Sequence, residues 1–254
     1  MATYKKRGGK PRTKVEKDQD IEDGSATAEV FNTLDEGASR TEAWIEKNQK
    51  FILGFIGTVA VCVLGFLAFQ EFVQNPKEIE ATNEMFQAQT YFEQALVSPA
   101  KDSLFNLALN GGEGKYGFVD MVENFGGTKA GNLSRYYAGM AFLNINKYKE
   151  AIDYLDGFSS DDAIIGPLAK GGIGDAFVQL GQEDKALGYY EAAATMNKNE
   201  FTSPRFLLKA GTAALNTGKR EKAIKHFTEI IEKYPNATEV AKATANIGKA
   251  NAMN

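Results

Sequence analysis

Sites that need several cysteine or histidine side chains are the first thing that this sequence excludes. The 254-residue chain has one cysteine, Cys62, and one histidine, His226. It can therefore form no internal disulfide and no multi-histidine metal centre, and a Ser-His-Asp or Cys-His arrangement would depend on His226 alone. It lacks the motifs of P-loops, zincins, redox dithiols and nucleophile elbows. We therefore expect no enzyme activity, no cofactor and no metal site.

Two short runs resemble ligand loops only superficially. Gly171–Asp175 reads GGIGD but has no strand before it, so helix packing explains its glycines better than phosphate binding does. Asp161 and Asp162 lack the spacing of a calcium loop, and we expect them to cap a helix or face solvent. The sequence pI of about 5.3 argues against a nucleic-acid partner.

Residues 1–50 form a charged arm with few large apolar side chains. Residues 1–17 hold seven basic residues and one acid, whereas residues 18–46 hold nine acids and one arginine. Such a segment buries too little surface to offset its ordering entropy, so we predict a disordered tail. Two alternatives stay open: the basic run contacts anionic lipid or RNA, or residues 27–46 form a short amphipathic helix at a membrane surface.

A membrane span follows the arm. Residues 51–69 read FILGFIGTVAVCVLGFLAF, which is 19 residues without a charge. This length nearly spans a hydrocarbon core of about 30 Å, and we place the transmembrane helix at residues 51–70. A cleaved signal peptide is the alternative, but the preceding arm is long and no A-x-A site follows.

The distribution of cations predicts how the span is oriented. Ten Lys or Arg residues precede it, and only Lys77 occurs among the 20 residues that follow. By the positive-inside rule the N-terminus lies in the cytoplasm, so in a bacterium the span crosses the inner membrane and residues 76–254 lie in the periplasm. Small residues on the span predict close packing with another helix, although glycine is common in membrane helices anyway. They are Gly54, Gly57, Thr58, Cys62 and Gly65.

Residues 76–254 carry an internal repeat. A glycine precedes an alanine by twelve residues three times, and the repeats step by 35 and 37 residues: Gly139 and Ala151, Gly174 and Ala186, Gly211 and Ala223. Leu155, Tyr190 and Phe227 each follow the alanine by four residues, and Asn146, Gly181 and Gly218 each precede it by five. Glycine and asparagine at the latter positions predict a left-handed helix end.

This spacing resembles the tetratricopeptide repeat (TPR), a helix–turn–helix unit of 34 residues. The family's early tryptophan is missing, since Arg135, Lys170 and Leu207 occupy its position. Partial units flank the three repeats: helices at 77–97 and 115–126 before them, separated by a glycine-rich loop, and a capping helix at 237–252 after them. The fold predicted is all-α, one transmembrane helix followed by a TPR-like α-solenoid of about nine helices.

The resemblance to TPR proteins also implies a concave partner-binding groove lined by the first helix of each repeat. The eleven positions that would face it are Tyr136, Met140, Leu143, Asn144, Asp175, Val178, Gln179, Leu208, Thr212, Leu215 and Asn216. Such a surface takes an extended segment or a helix through apolar pockets and amide hydrogen bonds. Many of these residues are equally well explained as ordinary packing positions.

The whole arrangement resembles the YfgM-type ancillary subunits of the bacterial Sec translocon. The stretches RYYAGMAFLNINKYKEAI (135–152) and IGPLAKGGIGDAFVQLGQEDKALGYYEAA (165–193) are similar to the version common in Bacteroidota. This resemblance implies a non-enzymatic adaptor that joins SecYEG to a membrane-anchored periplasmic chaperone of the PpiD type, beside emerging polypeptides. The alternative is a scaffold of another envelope complex, for outer-membrane assembly, secretion or division, because repeat architecture alone does not name the partner.

Overall fold

The computed structural model describes the backbone of residues 26–253 and the side chains of residues 41–253. Over the described backbone the fold is helical throughout, without a strand, and a single isolated bridge pairs Gly112 with Lys115. The chain divides after Phe69 into two compact units, Met1–Phe69 and Gln70–Asn254.

The first unit contains one long helix, α1, at Ala26–Phe69. Between Phe51 and Phe69 its large apolar side chains are mostly exposed, and an 18-residue window there has a mean hydropathy of 2.5 and contains no buried residue. This helix is the one candidate for a membrane span in the described part of the chain. It begins at Ala26, inside the stretch for which we expected a disordered tail, and residues 1–25 of that tail lie outside the described residues.

The second unit begins with a π-helical turn at Gln70–Gln74, which leads into α2 at Asn75–Val97. Pro76 lies in the first turn of α2 and offers no backbone N–H, which fits the widened hydrogen-bond pattern just before it. The remaining helices are α3 (Lys101–Asn110), α4 (Phe118–Phe125), α5 (Lys129–Asn144), α6 (Tyr148–Asp156), α7 (Ile165–Gln179), α8 (Glu183–Thr195), α9 (Thr202–Asn216), α10 (Arg220–Lys233) and α11 (Val240–Ala252).

Helix α3 was not predicted, because the whole segment between residues 97 and 115 was assigned to a loop. Only its end, Gly111–Gly114, has the positive φ angles of a glycine-rich turn, and Lys115 closes that turn by donating to the carbonyl of Gly112. Before it, Phe105, Ala108 and Leu109 are buried against α2 and α5. Burial of this apolar face therefore stabilises a helix, although the glycines that follow it led to the prediction of a loop.

The three repeats are α5–α6, α7–α8 and α9–α10, and in each of them the two helices approach through a glycine. A β-carbon at Gly139, Gly174 or Gly211 would overlap the side chain of Leu155, Tyr190 or Phe227, respectively. The alanine of each repeat, at positions 151, 186 and 223, is fully buried. The predicted spacing is thus a packing code, in which glycine on the first helix accepts the large side chain of the second.

The predicted left-handed turns between the helices are also present. Asn146, Gly181 and Gly218 have φ angles of 64°, 69° and 73°. In each turn the following residue donates its N–H to the carbonyl five residues earlier, at 2.7–2.9 Å, which is the Schellman pattern. Helix α11 then caps the last repeat, where Ala243 and Ala250 are buried.

Candidate partner-binding groove

Seven of the eleven predicted groove residues line two adjoining cavities on the repeats. One cavity of about 460 Å³ is bordered by Leu143, Asp175, Val178 and Gln179. A second, of about 470 Å³, shares Asp175 and Val178 with the first and adds Leu208, Thr212 and Asn216. The two therefore form one continuous groove along α5, α7 and α9.

Four of the predicted residues do not line these cavities. The ring of Tyr136 packs on Phe158 at 5.5 Å between centroids, and its burial raises the pKa of its hydroxyl. Met140 packs partly buried between two core clusters. Asn144 donates to the backbone carbonyl of Met140 at 2.8 Å, and Leu215 is buried in the same apolar cluster as Ala250. These four residues support the groove wall from within.

The five small residues predicted to pack in the membrane all lie exposed on α1. Apart from the neighbouring backbone of its own helix, no atom of the described residues lies within 4 Å of a β-carbon built on Gly54, Gly57 or Gly65. Cys62 is a free and exposed thiol, and the Thr58 hydroxyl donates to the carbonyl of Gly54 at 2.9 Å. A neighbouring helix could approach this surface closely, because no large side chain covers it.

A polar network crosses the groove between neighbouring repeats. The carboxylate of Asp175 accepts hydrogen bonds from the hydroxyl of Tyr190 at 2.6 Å and from Nζ of Lys209 at 2.6 and 2.7 Å. Nζ of Lys209 also lies 5.6 Å from the centre of the Tyr190 ring. Burial, and then the adjacent Asp175 carboxylate, raise the pKa of Tyr190 well above its ordinary range. The Lys209 charge is therefore neutralised inside the groove rather than offered to a ligand.

The second cavity has an apolar floor and a polar rim. Val178, Leu208, Ala213 and Ala245 contribute aliphatic surface. Three uncharged polar side chains, Thr212, Asn216 and Asn246, and two charged ones, Glu183 and Lys242, also line the cavity. An apolar side chain of a ligand would displace water from the floor, while the amides could pair with the backbone beside it. The apolar floor beside amide side chains suits a peptide segment.

The groove extends beyond the positions that the sequence analysis named. Lys242, Ala245 and Asn246 of α11 line the second cavity, and Lys242 also borders a third cavity of about 520 Å³ that includes Phe201 and Arg205. A signal for this existed in the sequence. Ala245 precedes Gly248 by three residues, as Leu208 precedes Gly211, so the capping helix repeats the groove position.

Tyr190 and Lys209 were missed for a different reason. The spacing predicts only a packing role for Tyr190, and Lys209 lies next to a predicted groove position. No sequence motif predicts that a lysine in one repeat contacts a given aspartate in the repeat before it. Their distance in sequence from Asp175, 15 and 34 residues, shows that only the packing of α7, α8 and α9 brings them together.

His226, the single histidine of the chain, is buried on α10. Its Nε2 lies 2.7 Å from a carboxylate oxygen of Glu191, and Lys222 binds the same carboxylate at 2.9 Å. Its Nδ1 is buried without a hydrogen-bond partner among the described residues. This cluster joins α8 to α10, the second helices of adjacent repeats, so its role in the fold is structural.

Of the two aspartates singled out in the sequence, Asp162 acts as a cap through its side chain. One carboxylate oxygen of Asp162 accepts the N–H groups of Ile164 and Ile165 at 2.7 and 2.9 Å, at the start of α7. No group of three or more His, Cys, Asp or Glu side chains within residues 41–253 is arranged to hold a metal ion.

Comparison with known families agrees with this geometry. Two tetratricopeptide-repeat models match the chain, one over residues 136–204 and one over residues 206–237. The C-terminal region carries tetratricopeptide repeats. The matched segments run from within α5 to just past the end of α10 and include the seven predicted residues that line the groove. No curated protein matches the chain. TPR repeats imply an adaptor that binds other proteins, and such domains are typically non-catalytic scaffolds.

Proposed function

We propose that this chain is a non-enzymatic, membrane-anchored TPR adaptor, and that it serves as an ancillary subunit of the Sec translocon. In this proposal α1 crosses the inner membrane with the N-terminus in the cytoplasm, and the C-terminal unit lies in the periplasm. The groove holds a membrane-anchored chaperone of the PpiD type beside emerging polypeptides. The observation that carries the proposal is an open, apolar-floored groove on TPR repeats that follow a single candidate span.

The polar network supports a protein partner for the groove. Because Asp175 already pairs with Lys209, the floor of the groove between α7 and α9 presents mainly aliphatic and amide surface, while Glu183 and Lys242 carry charge at its border. The resemblance of residues 135–152 and 165–193 to YfgM-type subunits then favours the translocon among possible assemblies. The exposed small residues of α1 would receive a helix of SecY or the anchor of the chaperone.

A second candidate is a scaffold for another envelope complex, in outer-membrane assembly, secretion or division. The same groove favours it equally, since TPR architecture does not specify a partner. The two candidates differ in what the span does. A translocon subunit uses α1 as a binding surface within the membrane, whereas a periplasmic scaffold needs it only as an anchor.

Purification in mild detergent tests the adaptor function. Mass spectrometry of the proteins that co-purify with the full chain should find Sec components and a periplasmic chaperone above the background of an unrelated anchored protein. Val178→Arg places a cation on the apolar floor and should lower recovery of the groove partner at least ~10-fold, which corresponds to about 1.4 kcal/mol.

Ala192→Arg is the matched control, because Ala192 is an exposed residue of α8 and does not border the cavities of the groove. It adds the same side chain and should leave recovery unchanged. Equal recovery with both variants would refute binding in the groove. If no Sec component or chaperone is recovered with the parent chain, the translocon proposal fails.

Replacing residues 51–69 with an unrelated span of equal length separates the two candidates. Loss of the Sec components with the groove intact is the result expected of a translocon subunit. Unchanged partners after the replacement would instead favour the periplasmic scaffold.

A further inference from the structure

Glu183, the first residue of α8, carries a carboxylate without a partner at the border of the groove. It lines the second cavity, and the residue is only partly exposed. Its Oε2 is buried and has no hydrogen-bond partner among residues 41–253. A carboxylate oxygen that is shielded from water and unpaired raises the free energy of the site, and a donor on a ligand offsets that cost.

The acids next to Glu183 are already matched by bases. Asp175 binds Lys209 at 2.6 Å within the same cavity. Asp184, the next residue along α8, binds Lys219 at 2.6 Å. Each of these lysines is therefore held by another carboxylate, and this part of the groove keeps one negative charge that no base within residues 41–253 pairs.

The two other lysines that border these cavities are placed differently. Nζ of Lys185 lies 5.2 Å from the centre of the Phe177 ring and interacts with its face. Lys242 borders the second and third cavities, whereas Glu183 borders the second cavity and a fourth one of about 500 Å³. Because the third and fourth cavities share no residue, Lys242 and Glu183 lie at different ends of the second cavity. Neither lysine therefore serves as the counter-charge of Glu183.

The charge of Glu183 acts inside the groove. Burial and the Asp175 carboxylate are the main causes that raise the pKa of the Tyr190 hydroxyl, and the Glu183 carboxylate adds to them. Tyr190 and Asp175 border both of the adjoining cavities, so the field of Glu183 reaches the middle of the groove. A charge in such a partly enclosed site is screened less than one on the open surface, and it attracts a cation more strongly.

We propose that the groove recognises a segment of its protein partner in which a lysine or arginine side chain pairs with Glu183 and a nearby apolar side chain covers the floor. The inference rests on the adaptor function proposed above and adds the chemistry of the partner. Its basis is charge complementarity. Asp175 and Glu183 contribute two negative charges and Lys209 contributes one positive charge, so a basic residue of the partner balances this end of the groove.

The length of the second cavity limits the segment. Along α9 this cavity extends from Leu208, which the third cavity shares, to Asn216, which the fourth cavity shares. The helix rises about 12 Å between these two residues, and an extended chain covers that distance in about four residues. The basic and the apolar side chain should therefore lie within about four residues of each other in the partner sequence.

Peptide selection tests the recognition of a basic residue. The probe is a library of random peptides displayed on phage, offered to the full chain immobilised in mild detergent. Peptides that bind the parent chain should contain Lys or Arg beside apolar residues more often than the library does. Glu183→Gln keeps the size of the side chain and removes its charge, so it should bind the selected peptides ~10-fold more weakly.

Asp184→Asn is the matched control, because it removes the neighbouring acid, whose side chain is 71 % exposed and already paired with Lys219. It should leave the affinity for the selected peptides unchanged. Val178→Arg should weaken their binding, since it places a cation on the floor that the apolar side chain covers. Binding that Val178→Arg leaves unaltered would place the peptides outside the groove and overturn the inference.

Glu183→Lys gives a result that loss of folding cannot imitate. This variant should select peptides that carry Asp or Glu in place of Lys or Arg. Apolar peptides without a basic residue from the parent chain, or a basic preference that Glu183→Gln retains, would overturn this inference and leave the adaptor function standing. If the parent chain selects no peptide at all, the groove takes no segment, and this inference and the groove binding in the proposed function fail together.

Discussion

Asp175 and Lys209 occupy the first helices of successive repeats and join them through two contacts of 2.6 and 2.7 Å across the groove. The second helices are joined in a similar way, since Glu191 of α8 binds Lys222 and His226 of α10. Both layers of the solenoid thus carry a half-buried acid that pairs with bases one repeat later. The groove wall and the outer wall are each fixed by a polar contact as well as by apolar packing.

Removal of the Asp175 carboxylate should loosen the groove. In Asp175→Ala the hydroxyl of Tyr190 and the ammonium of Lys209 lose their acceptor in a partly buried site, which costs about 1–3 kcal/mol of unfolding free energy. The pKa of Tyr190 should also fall toward its ordinary value, because part of its elevation comes from the carboxylate. Urea unfolding followed by circular dichroism, and ultraviolet difference titration of the tyrosines, measure the two effects.

Asp156→Ala is the matched control for that substitution. Its carboxylate is 59 % exposed and pairs with Lys170 at 3.3 Å, so its loss should cost less than about 1 kcal/mol. Equal destabilisation by both variants would mean that the groove network contributes no more than an ordinary surface pair.

Gly211 tests the packing code of the repeats. In Gly211→Ala the new β-carbon overlaps the buried ring of Phe227, which cannot move away within a close-packed core. We expect a loss of about 1–3 kcal/mol in unfolding free energy, measured by urea unfolding of the full chain in detergent.

Gly188→Ala is the opposite case within the same solenoid. Gly188 lies exposed on α8, and no heavy atom lies within 4 Å of a β-carbon placed there. Alanine has the higher helix propensity, so this variant should gain up to about 1 kcal/mol. A gain from both substitutions would contradict the packing code.

The repeat was predictable because its signal is a fixed spacing. Glycines that meet Leu155, Tyr190 and Phe227, and the left-handed turns at Asn146, Gly181 and Gly218, follow from steric rules that act within one repeat. Three copies of the same rule make the pattern stand out from chance. The resemblance to TPR proteins implies that Asp175, Val178 and Thr212 face one groove, and all three line the same cavity.

The features that could not be predicted from the sequence depend on contacts between repeats or on helices outside the repeats. Helix α3 is not part of a repeat, and its apolar face can be recognised only from its packing against α2 and α5. Leu215 occupies the position that Leu143 and Val178 have in the earlier repeats, yet it is buried in a cluster that includes residues of α11. Prediction of the contact between Asp175 and Lys209 likewise requires the rise and twist from one repeat to the next, which cannot be read from a single sequence.

Glu191 should be the more costly acid to lose on the outer wall. In Glu191→Ala, His226 keeps a buried ring whose two nitrogens lack a hydrogen-bond partner among residues 41–253, since Nδ1 already has none there. The expected loss is about 1–3 kcal/mol. Asp184→Ala removes an exposed acid that pairs with Lys219 one repeat later and should cost less than about 1 kcal/mol. Urea midpoints of the two variants that agree within error would refute the difference.

The cap at the start of α7 gives a prediction about pH. The N–H groups of Ile165 and Ile164 hold the pKa of Asp162 below its ordinary value of 3.8. Because the pKa is lowered in the folded state, the carboxylate stabilises the fold above 3.8, and this contribution is lost as the pH falls through the folded pKa.

Asp162→Asn isolates that charge, because asparagine keeps an oxygen that accepts the same N–H groups. The variant should unfold at a lower urea concentration than the parent at neutral pH, and the two midpoints should converge as the pH falls below 3.8. A difference of constant size across this range would show that the geometry of the cap, and not its charge, stabilises the helix. A variant that is more stable than the parent at neutral pH would contradict the favourable interaction between the carboxylate and the N-terminus of α7.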